Sequence, residues 1–185
     1  MKIAVVSFTY PGEKVCGDAA AVSEDPRRAV IAVIDGLGHG PEAHKAAEEA
    51  RTCILEHADE QPGALMQRCH LALRSTRGAV IGLARLEASG RGVFSGVGNI
   101  GLVARSESAI HVISHAGIVG QRVRKIVECE FRWAPGDLLC LFSDGLTSKL
   151  SLEEVDAADP ERAARALLER YGRGNDDATV ALAVL

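Results

Sequence analysis

The pattern that limits the choice of fold most strongly is a series of short apolar runs in the second half of the chain. From Gly78 onward the apolar residues recur with a period of about two, and turn residues interrupt the runs at short intervals. This pattern is typical of an antiparallel meander. The strands that it predicts are residues 79–86, 92–96, 100–105, 109–114, 123–133 and 138–142.

Further strands and helices flank this meander. Apolar runs predict strands at residues 2–10, 29–34 and 178–185. Helical spacing predicts one helix from Pro41, a second over residues 62–75, and a last helical region that begins at Ser151 and restarts at Asp159. At 185 residues and 47% hydrophobic content the chain can bury a sizeable core. We therefore predict one α+β domain over residues 1–185, with antiparallel sheet in the middle and helices packed on it.

Charge and cysteine content exclude several classes of protein. Lys and Arg number 21 against 25 for Asp and Glu, which gives a net charge of −4 with no basic block and argues against nucleic acid as the main partner. The short apolar start of the chain predicts neither a signal peptide nor a membrane span. Its five cysteines are odd in number and form no C-x-x-C pair, which predicts reduced thiols and a cytoplasmic location.

Four predicted strand ends carry an aspartate: Asp18, Asp35, Asp144 and the Asp176-Asp177 pair. One aspartate at a strand end is an ordinary turn residue. Two Asp-Gly pairs that each end an apolar run are harder to explain in this way, because a charge against such a run is costly unless it is compensated. Mg²⁺ or Mn²⁺ would compensate it, since both ions take oxygen ligands and keep several waters.

The glycine after each aspartate favours the same interpretation. It lets the chain bend so that the carbonyl of the Asp-Gly pair can face the ion. Two neighbouring ions can share a water, lower its pKa and orient the hydroxide at phosphorus. The aspartates therefore indicate hydrolysis of a phosphate ester.

The order and spacing of these motifs resemble those of a known family. The segments are Gly17-Asp18, DGLGHG from Asp35, GVGN from Gly96, PGD from Pro135 leading into FSDGL, and DDATV from Asp176. In this order they resemble the metal-dependent serine/threonine phosphatases of the protein phosphatase 2C (PP2C or PPM) type, in the bacterial SpoIIE/RsbU/RsbX-like branch. The resemblance runs from about Cys16 to Val180.

The resemblance implies a fold, a site and a reaction. The fold would be a sandwich of two antiparallel β-sheets with α-helices on both outer faces. Asp35 would bridge two Mn²⁺ or Mg²⁺ ions, Gly36 would give its carbonyl to one, and Asp144 and Asp176 would hold the other. Asp18 would lie beside the metals. In this family a metal-bridging hydroxide attacks phosphoserine or phosphothreonine directly, without a phosphoenzyme.

Two positions depart from the pattern of eukaryotic relatives. Their Asp-Gly pair is followed directly by a histidine, a candidate general acid, but here that position is Leu37 and His39 comes two residues later. For His39 a solvent-facing or capping role is favoured over catalysis. Relatives also carry a phosphate-binding arginine upstream of the first acidic motif, where this chain offers only Lys14.

Within the bacterial branch the chain resembles the free-standing stressosome phosphatases, because it starts almost at its first strand and stops after its last. That resemblance implies phosphorylated STAS-domain proteins of a stressosome-like complex as partners, and no nucleic acid or membrane. Two alternatives remain. One is a binding module that kept the fold without catalysis; the other is a different metal-dependent phosphoesterase, such as a nuclease, although the charge offers little basic surface for a nucleic-acid backbone.

Overall fold

Two antiparallel β-sheets form the centre of the computed structural model, which describes all 185 residues. The strands are β1 (Lys2–Phe8), β2 (Asp18–Asp25), β3 (Arg28–Gly36), β4 (Ala79–Glu87), β5 (Arg91–Val97), β6 (Gly101–Arg105), β7 (Ser114–His115), β8 (Gly117–Ile118), β9 (Arg122–Val123), β10 (Cys129–Arg132), β11 (Leu138–Phe142) and β12 (Ala178–Val184). The helices are α1 (Pro41–Glu56), α2 (Pro62–Ala72) and α3 (Pro160–Tyr171), and a 3-10 turn (Leu73–Ser75) follows α2.

The strands divide into a smaller and a larger sheet. The smaller sheet has the order β1-β12-β11-β6, and the larger has the order β10-β5-β4-β3-β2. Strand β7 adds a short parallel pairing to β5, and β8 and β9 form a separate hairpin. Apart from β7, every pairing is antiparallel, as the alternating pattern predicts.

Strand β3 is buried on both faces. Ile31 and Val33 belong to the core between the sheets, which the smaller sheet completes with residues of β11 and β12. Val30, Ala32 and Ile34 face the opposite way and pack against α1 and α2. Because side chains alternate along a strand, an uninterrupted apolar run is what two covered faces require.

The helices complete a layered sandwich. Helices α1 and α2 cover the outer face of the larger sheet, and α3 covers the outer face of the smaller one. Pro41 opens α1, and the Asp159 carboxylate accepts a hydrogen bond from the Arg162 N–H at the start of α3, as predicted. The predicted sandwich with helices on both outer faces is therefore confirmed. No helix combines the length and the apolar character that crossing a membrane requires.

Two predicted strands are much shorter than expected. Of residues 109–114 only Ser114 is in a strand, and of residues 123–133 only Val123 and Cys129–Arg132 are. Ile110 and Val112 still pack against the core between the sheets, which explains their apolar character. The spacing of apolar residues indicates which side chains are buried. A strand also needs a neighbouring strand with which its backbone can form hydrogen bonds.

The helix predicted from Ser151 is wrong, since residues 151–159 form turns. The Ser151 hydroxyl accepts a hydrogen bond from the Glu153 N–H, as in a local turn. The Arg105 guanidinium donates to the carbonyls of Leu152, Glu153 and Val155 at 3.0, 3.3 and 2.9 Å. A side chain 47 or more residues away in sequence thus satisfies carbonyl groups that a helix would otherwise use.

Candidate metal centre

Asp18 and Asp35 lie opposite each other in neighbouring strands. Asp18 is the first residue of β2, and its register partner in β3 is Asp35. Asp18 is only 5% exposed, and Asp35 is half-buried. The pairing of β2 with β3 therefore holds two carboxylates side by side at one end of the larger sheet, where like charges repel unless they are compensated.

The turn after Asp35 is packed too closely for any side chain at Gly36. A Cβ at Gly36 would lie 2.1 Å from the Ala43 carbonyl oxygen and 2.8 Å from that of Gly17. The Gly36 N–H donates to the Gly17 carbonyl at 3.1 Å, which joins the turn to the residue before Asp18. The sequence predicted a tight bend here, and its cause is this close approach to α1.

The smaller sheet brings its own acids to the same end of the sandwich. Asp144 follows β11, and the Asn99 amide donates to its Oδ2 at 2.7 Å. Asp176 and Asp177 precede β12. Asp176 is exposed, whereas Asp177 is 3% exposed and its Oδ1 accepts the Tyr10 N–H at 2.9 Å. The other oxygen of Asp177 is buried and has no hydrogen-bond partner.

A hydroxyl network ties the two sheets together behind these acids. The Ser143 hydroxyl donates to Oδ2 of Asp18 at 2.6 Å and accepts the Thr179 N–H at 2.9 Å. Thr179 also shares a hydrogen bond with the Ser7 hydroxyl at 2.8 Å. The Ser and Thr of the FSDGL and DDATV segments therefore fix Asp18, a function that their positions in the sequence did not reveal.

The electrostatics show that these carboxylates lack a compensating charge. Burial raises the pKa of Asp18 to about 7, although hydrogen bonds from two hydroxyl side chains oppose the shift. Burial, followed by the charges of the four neighbouring aspartates, raises the pKa of Asp35 to about 8. Partial burial raises the pKa of Asp176 as well. The cluster thus holds negative charge at a high cost in free energy, which a bound cation would lower.

The donor set fits hydrated divalent ions. No group of three or more His, Cys, Asp or Glu side chains is arranged to hold a metal ion by itself. Mg²⁺ does not need such a cage, because it keeps several waters and binds through one or two carboxylates. Facing carboxylates and the backbone of an Asp-Gly turn provide oxygen atoms of this kind, and the buried, unpartnered oxygen of Asp177 lies beside Gly17.

We expect divalent metal to stabilise the protein more at pH 8 than at pH 6. Asp18 and Asp35 bind protons more tightly in the folded than in the unfolded protein, because folding raises their pKa values from about 4 to about 7 and about 8. The free energy of unfolding of the metal-free protein therefore falls as the pH rises through this range. Metal binding needs the deprotonated carboxylates. At a metal concentration of about 100 times Kd, binding adds about 2.7 kcal/mol to the free energy of unfolding, which raises Tm by roughly 5–10 °C.

Thermal denaturation with and without MgCl₂ or MnCl₂ at both pH values measures this effect, and NaCl at matched ionic strength is the control. A shift that is equal at the two pH values, or that NaCl reproduces, would contradict the assignment of these carboxylates to a metal centre.

The two remaining predicted site residues have different surroundings. Nδ1 of His39 lies 2.6 Å from Oε1 of Glu13, and its ring lies 5.0 Å from that of Tyr10. His39 does not cap α1, because the N-cap is Gly40 and makes no side-chain cap hydrogen bond. The Lys14 side chain is exposed and makes no hydrogen bond or ion pair. The structure therefore gives His39 a defined orientation and Lys14 none.

Comparison with known proteins identifies one family model along most of the chain. Residues 25–184 match the model described as Stage II sporulation protein E (SpoIIE). Among curated proteins, the chain is 24% identical to "Phosphoserine phosphatase RsbX" of Bacillus subtilis (strain 168) over 145 residues. The match covers 77% of this chain and 73% of the relative.

Solved structures share the fold over almost the full length. A chain described under "The bacterial stressosome: a modular system that has been adapted to control secondary messenger signaling" is 32% identical, with a TM-score of 0.92 over 97% of both chains. RsbX in complex with magnesium is 20% identical, with a TM-score of 0.85 over 97% of this chain and 92% of its own. The PP2C phosphatase domain of SpoIIE from Bacillus subtilis, also 20% identical, gives 0.80 over 98% and 63%.

Proposed function

The chain belongs to the Stage II sporulation protein E (SpoIIE) family, and from this we infer that it is a metal-dependent protein serine/threonine phosphatase. The observation that carries the inference is the pair of facing carboxylates at Asp18 and Asp35, with Asp144 and Asp176 beside them from the other sheet. We propose that Asp35, the Gly36 carbonyl, Asp144 and Asp176 hold two ions, Mn²⁺ or Mg²⁺, and that Asp18 lies beside them.

Divalent ions bound at this centre would supply an activated water nucleophile and neutralise charge on the phosphoryl oxygens. The chain contributes the orientation of the ligands. Asn99 fixes one oxygen of Asp144 and Ser143 fixes one oxygen of Asp18, so neither carboxylate is free to rotate. The two sheets therefore bring oriented carboxylates to one centre, and ions held there would help to position a phosphate monoester.

We assign the proton for the leaving serine or threonine oxygen to His39. Burial raises the pKa of Asp176, and the charge of the His39 ring is close enough to oppose part of that rise, so the ring lies near the metal centre. Glu13 holds Nδ1, which leaves Nε2 free to face the substrate. A carboxylate that binds Nδ1 in this way fixes the orientation of the ring, and a general acid would donate its proton from Nε2. Glu13 is then a positioning residue.

The proposed substrates are phosphorylated STAS-domain proteins of a stressosome-like complex, in which removal of the phosphate resets the signal. Support comes from the curated relative, a phosphoserine phosphatase, and from the 32% identical chain whose description concerns the bacterial stressosome. Both matches cover more than two thirds of this chain.

Hydrolysis of four substrates tests the proposed function. With Mn²⁺ or Mg²⁺ we expect turnover of p-nitrophenyl phosphate and of a phosphoserine peptide, faster turnover of a phosphorylated STAS-domain protein, and none of a DNA phosphodiester. A chelator should abolish turnover and added metal should restore it. Preference for the diester would indicate a nuclease, and a folded protein inactive on all substrates would indicate a binding module.

A further inference from the structure

We propose that Arg77, which precedes β4, binds the phosphoryl group of the substrate at the rim of the metal centre. The inference rests on the proposed phosphatase function and concerns a residue that no motif of the sequence singles out. Residues upstream of Asp18 offer no placed cation for this purpose, since Lys14 makes no contact that would orient it. Arg77 is brought to the centre by the fold from a separate part of the chain.

The Arg77 side chain lies on the glycine-rich turn that follows Asp35. A Cβ at Gly38 would lie 3.2 Å from Nη1 of Arg77. Gly38 also lies close to the carboxylates, because a Cβ at Gly17 would lie 3.4 Å from the Gly38 carbonyl oxygen and 2.7 Å from Oδ2 of Asp177. Two independent contacts of one turn thus place the guanidinium at the edge of the acidic cluster.

Hydrogen bonds fix the backbone at Arg77 and at the residues directly before and after it. The Thr76 hydroxyl accepts the Gly78 N–H at 2.9 Å, and the Gln121 amide donates to the Arg77 carbonyl. The Leu37 N–H donates to the Gly78 carbonyl at 3.0 Å, which links this segment directly to the residue after Gly36. The arginine therefore extends from a support that is fixed relative to the metal centre.

The guanidinium itself is free. Arg77 is exposed, and its side chain makes no hydrogen bond or ion pair within the chain. Several other arginines are occupied, for example Arg91 by Glu87 and Glu130 and Arg105 by backbone carbonyls. The donors of Arg77 thus remain available to a ligand.

The chemistry of the ligand follows from this placement. A guanidinium presents a planar fork of donors that matches two oxygens of a phosphate. Carboxylates repel a phosphate. A phosphate can bind beside them only if metal ions offset their charge, and a cation on its other side strengthens the binding. The turn carries glycine at position 38, with φ of 90°, and a side chain there would crowd the guanidinium. A phosphate monoester held between the metals and Arg77 fits these constraints.

The test compares Arg77→Ala with Arg74→Ala, an exposed arginine three residues earlier that serves as the matched control. Inorganic phosphate is titrated into the Mg²⁺-loaded proteins by calorimetry, and KM is measured for p-nitrophenyl phosphate. We expect Arg77→Ala to raise both the phosphate Kd and KM by about 10- to 100-fold. Arg74→Ala should change neither by more than about twofold, and Arg77→Lys should recover part of the loss.

Each other outcome decides the matter in a different way. Phosphate affinity within about twofold of wild type in Arg77→Ala, with the metal-induced Tm shift retained, would overturn the inference. A loss seen only with a phosphoprotein would also overturn it, because Arg77 would then contact the partner instead of the phosphate. If wild type hydrolyses no phosphoester, the proposed function fails, whereas phosphate calorimetry still decides for or against Arg77.

Discussion

Asp35→Asn is expected to reduce metal-dependent hydrolysis of p-nitrophenyl phosphate by about 10³-fold or more. Metal ions contribute several kcal/mol to phosphoryl transfer, and about 4 kcal/mol corresponds to a factor of roughly 10³ in rate. The variant should fold, because the asparagine side chain is neutral and has the same shape as the carboxyl that it replaces. The pKa of that carboxyl is already raised to about 8, so its charge does not stabilise the fold. Rates at saturating Mn²⁺ and thermal denaturation at pH 8 measure the two effects.

The matched control is Asp25→Asn, which makes the same change at the other end of the β2–β3 hairpin, away from Asp18 and Asp35. Asp25 is exposed, and its carboxylate accepts hydrogen bonds from the Arg27 and Arg28 N–H groups in the hairpin turn. We expect it to leave the rate within about twofold. An Asp35→Asn protein that keeps more than a tenth of the wild-type rate, together with the full metal-induced rise in Tm, would remove Asp35 from the centre.

His39→Ala is expected to have an effect that depends on the leaving group. General acid catalysis contributes about 10²- to 10⁴-fold when the leaving oxygen needs a proton. The kcat for a phosphoserine peptide should therefore fall about 100-fold or more, whereas that for p-nitrophenyl phosphate, whose leaving group is a stable anion, should fall less than about tenfold. Steady-state kinetics with both substrates measures the difference.

Glu13→Gln should reproduce the same dependence on the leaving group with a smaller loss, because it keeps the side-chain shape but removes the charge that faces Nδ1 of His39. His111→Ala is the control, since His111 is exposed and makes no hydrogen bond. Equal losses on both substrates would mean that His39 supports the structure of the turn and does not transfer a proton.

The sequence predicted the position of each acid but few of the partners that fix it. Aspartates at the ends of apolar runs indicated a cation site, because a charge against such a run is costly unless it is compensated. Glu13 and His39 are 26 residues apart, and Asn99 and Asp144 are 45 apart, so no local periodicity reports their contacts. Arg77 was overlooked for the same reason. Long-range hydrogen bonds arise only when the sheets and their turns are assembled.

The errors in secondary structure have related causes. Strand β2, with the sequence DAAAVSED, was not predicted, because its alanines and acids carry little strand propensity; its pairing with β3 over all eight residues makes it a strand. The apparent capping box at Ser151 failed because the distant Arg105 takes the carbonyls of that segment. In both places, tertiary contacts override the local preference.

The acidic cluster is built from both leaves of the sandwich, with Asp18 and Asp35 on one and Asp144 and Asp176 near strands of the other. An ion bound there would link the two leaves. By thermodynamic reciprocity, whatever favours one spacing of the leaves also changes affinity for the ion, and the ion favours one spacing in turn. A protein that binds the outside of the sandwich and changes this spacing would therefore change the rate of hydrolysis without contacting any residue of the site.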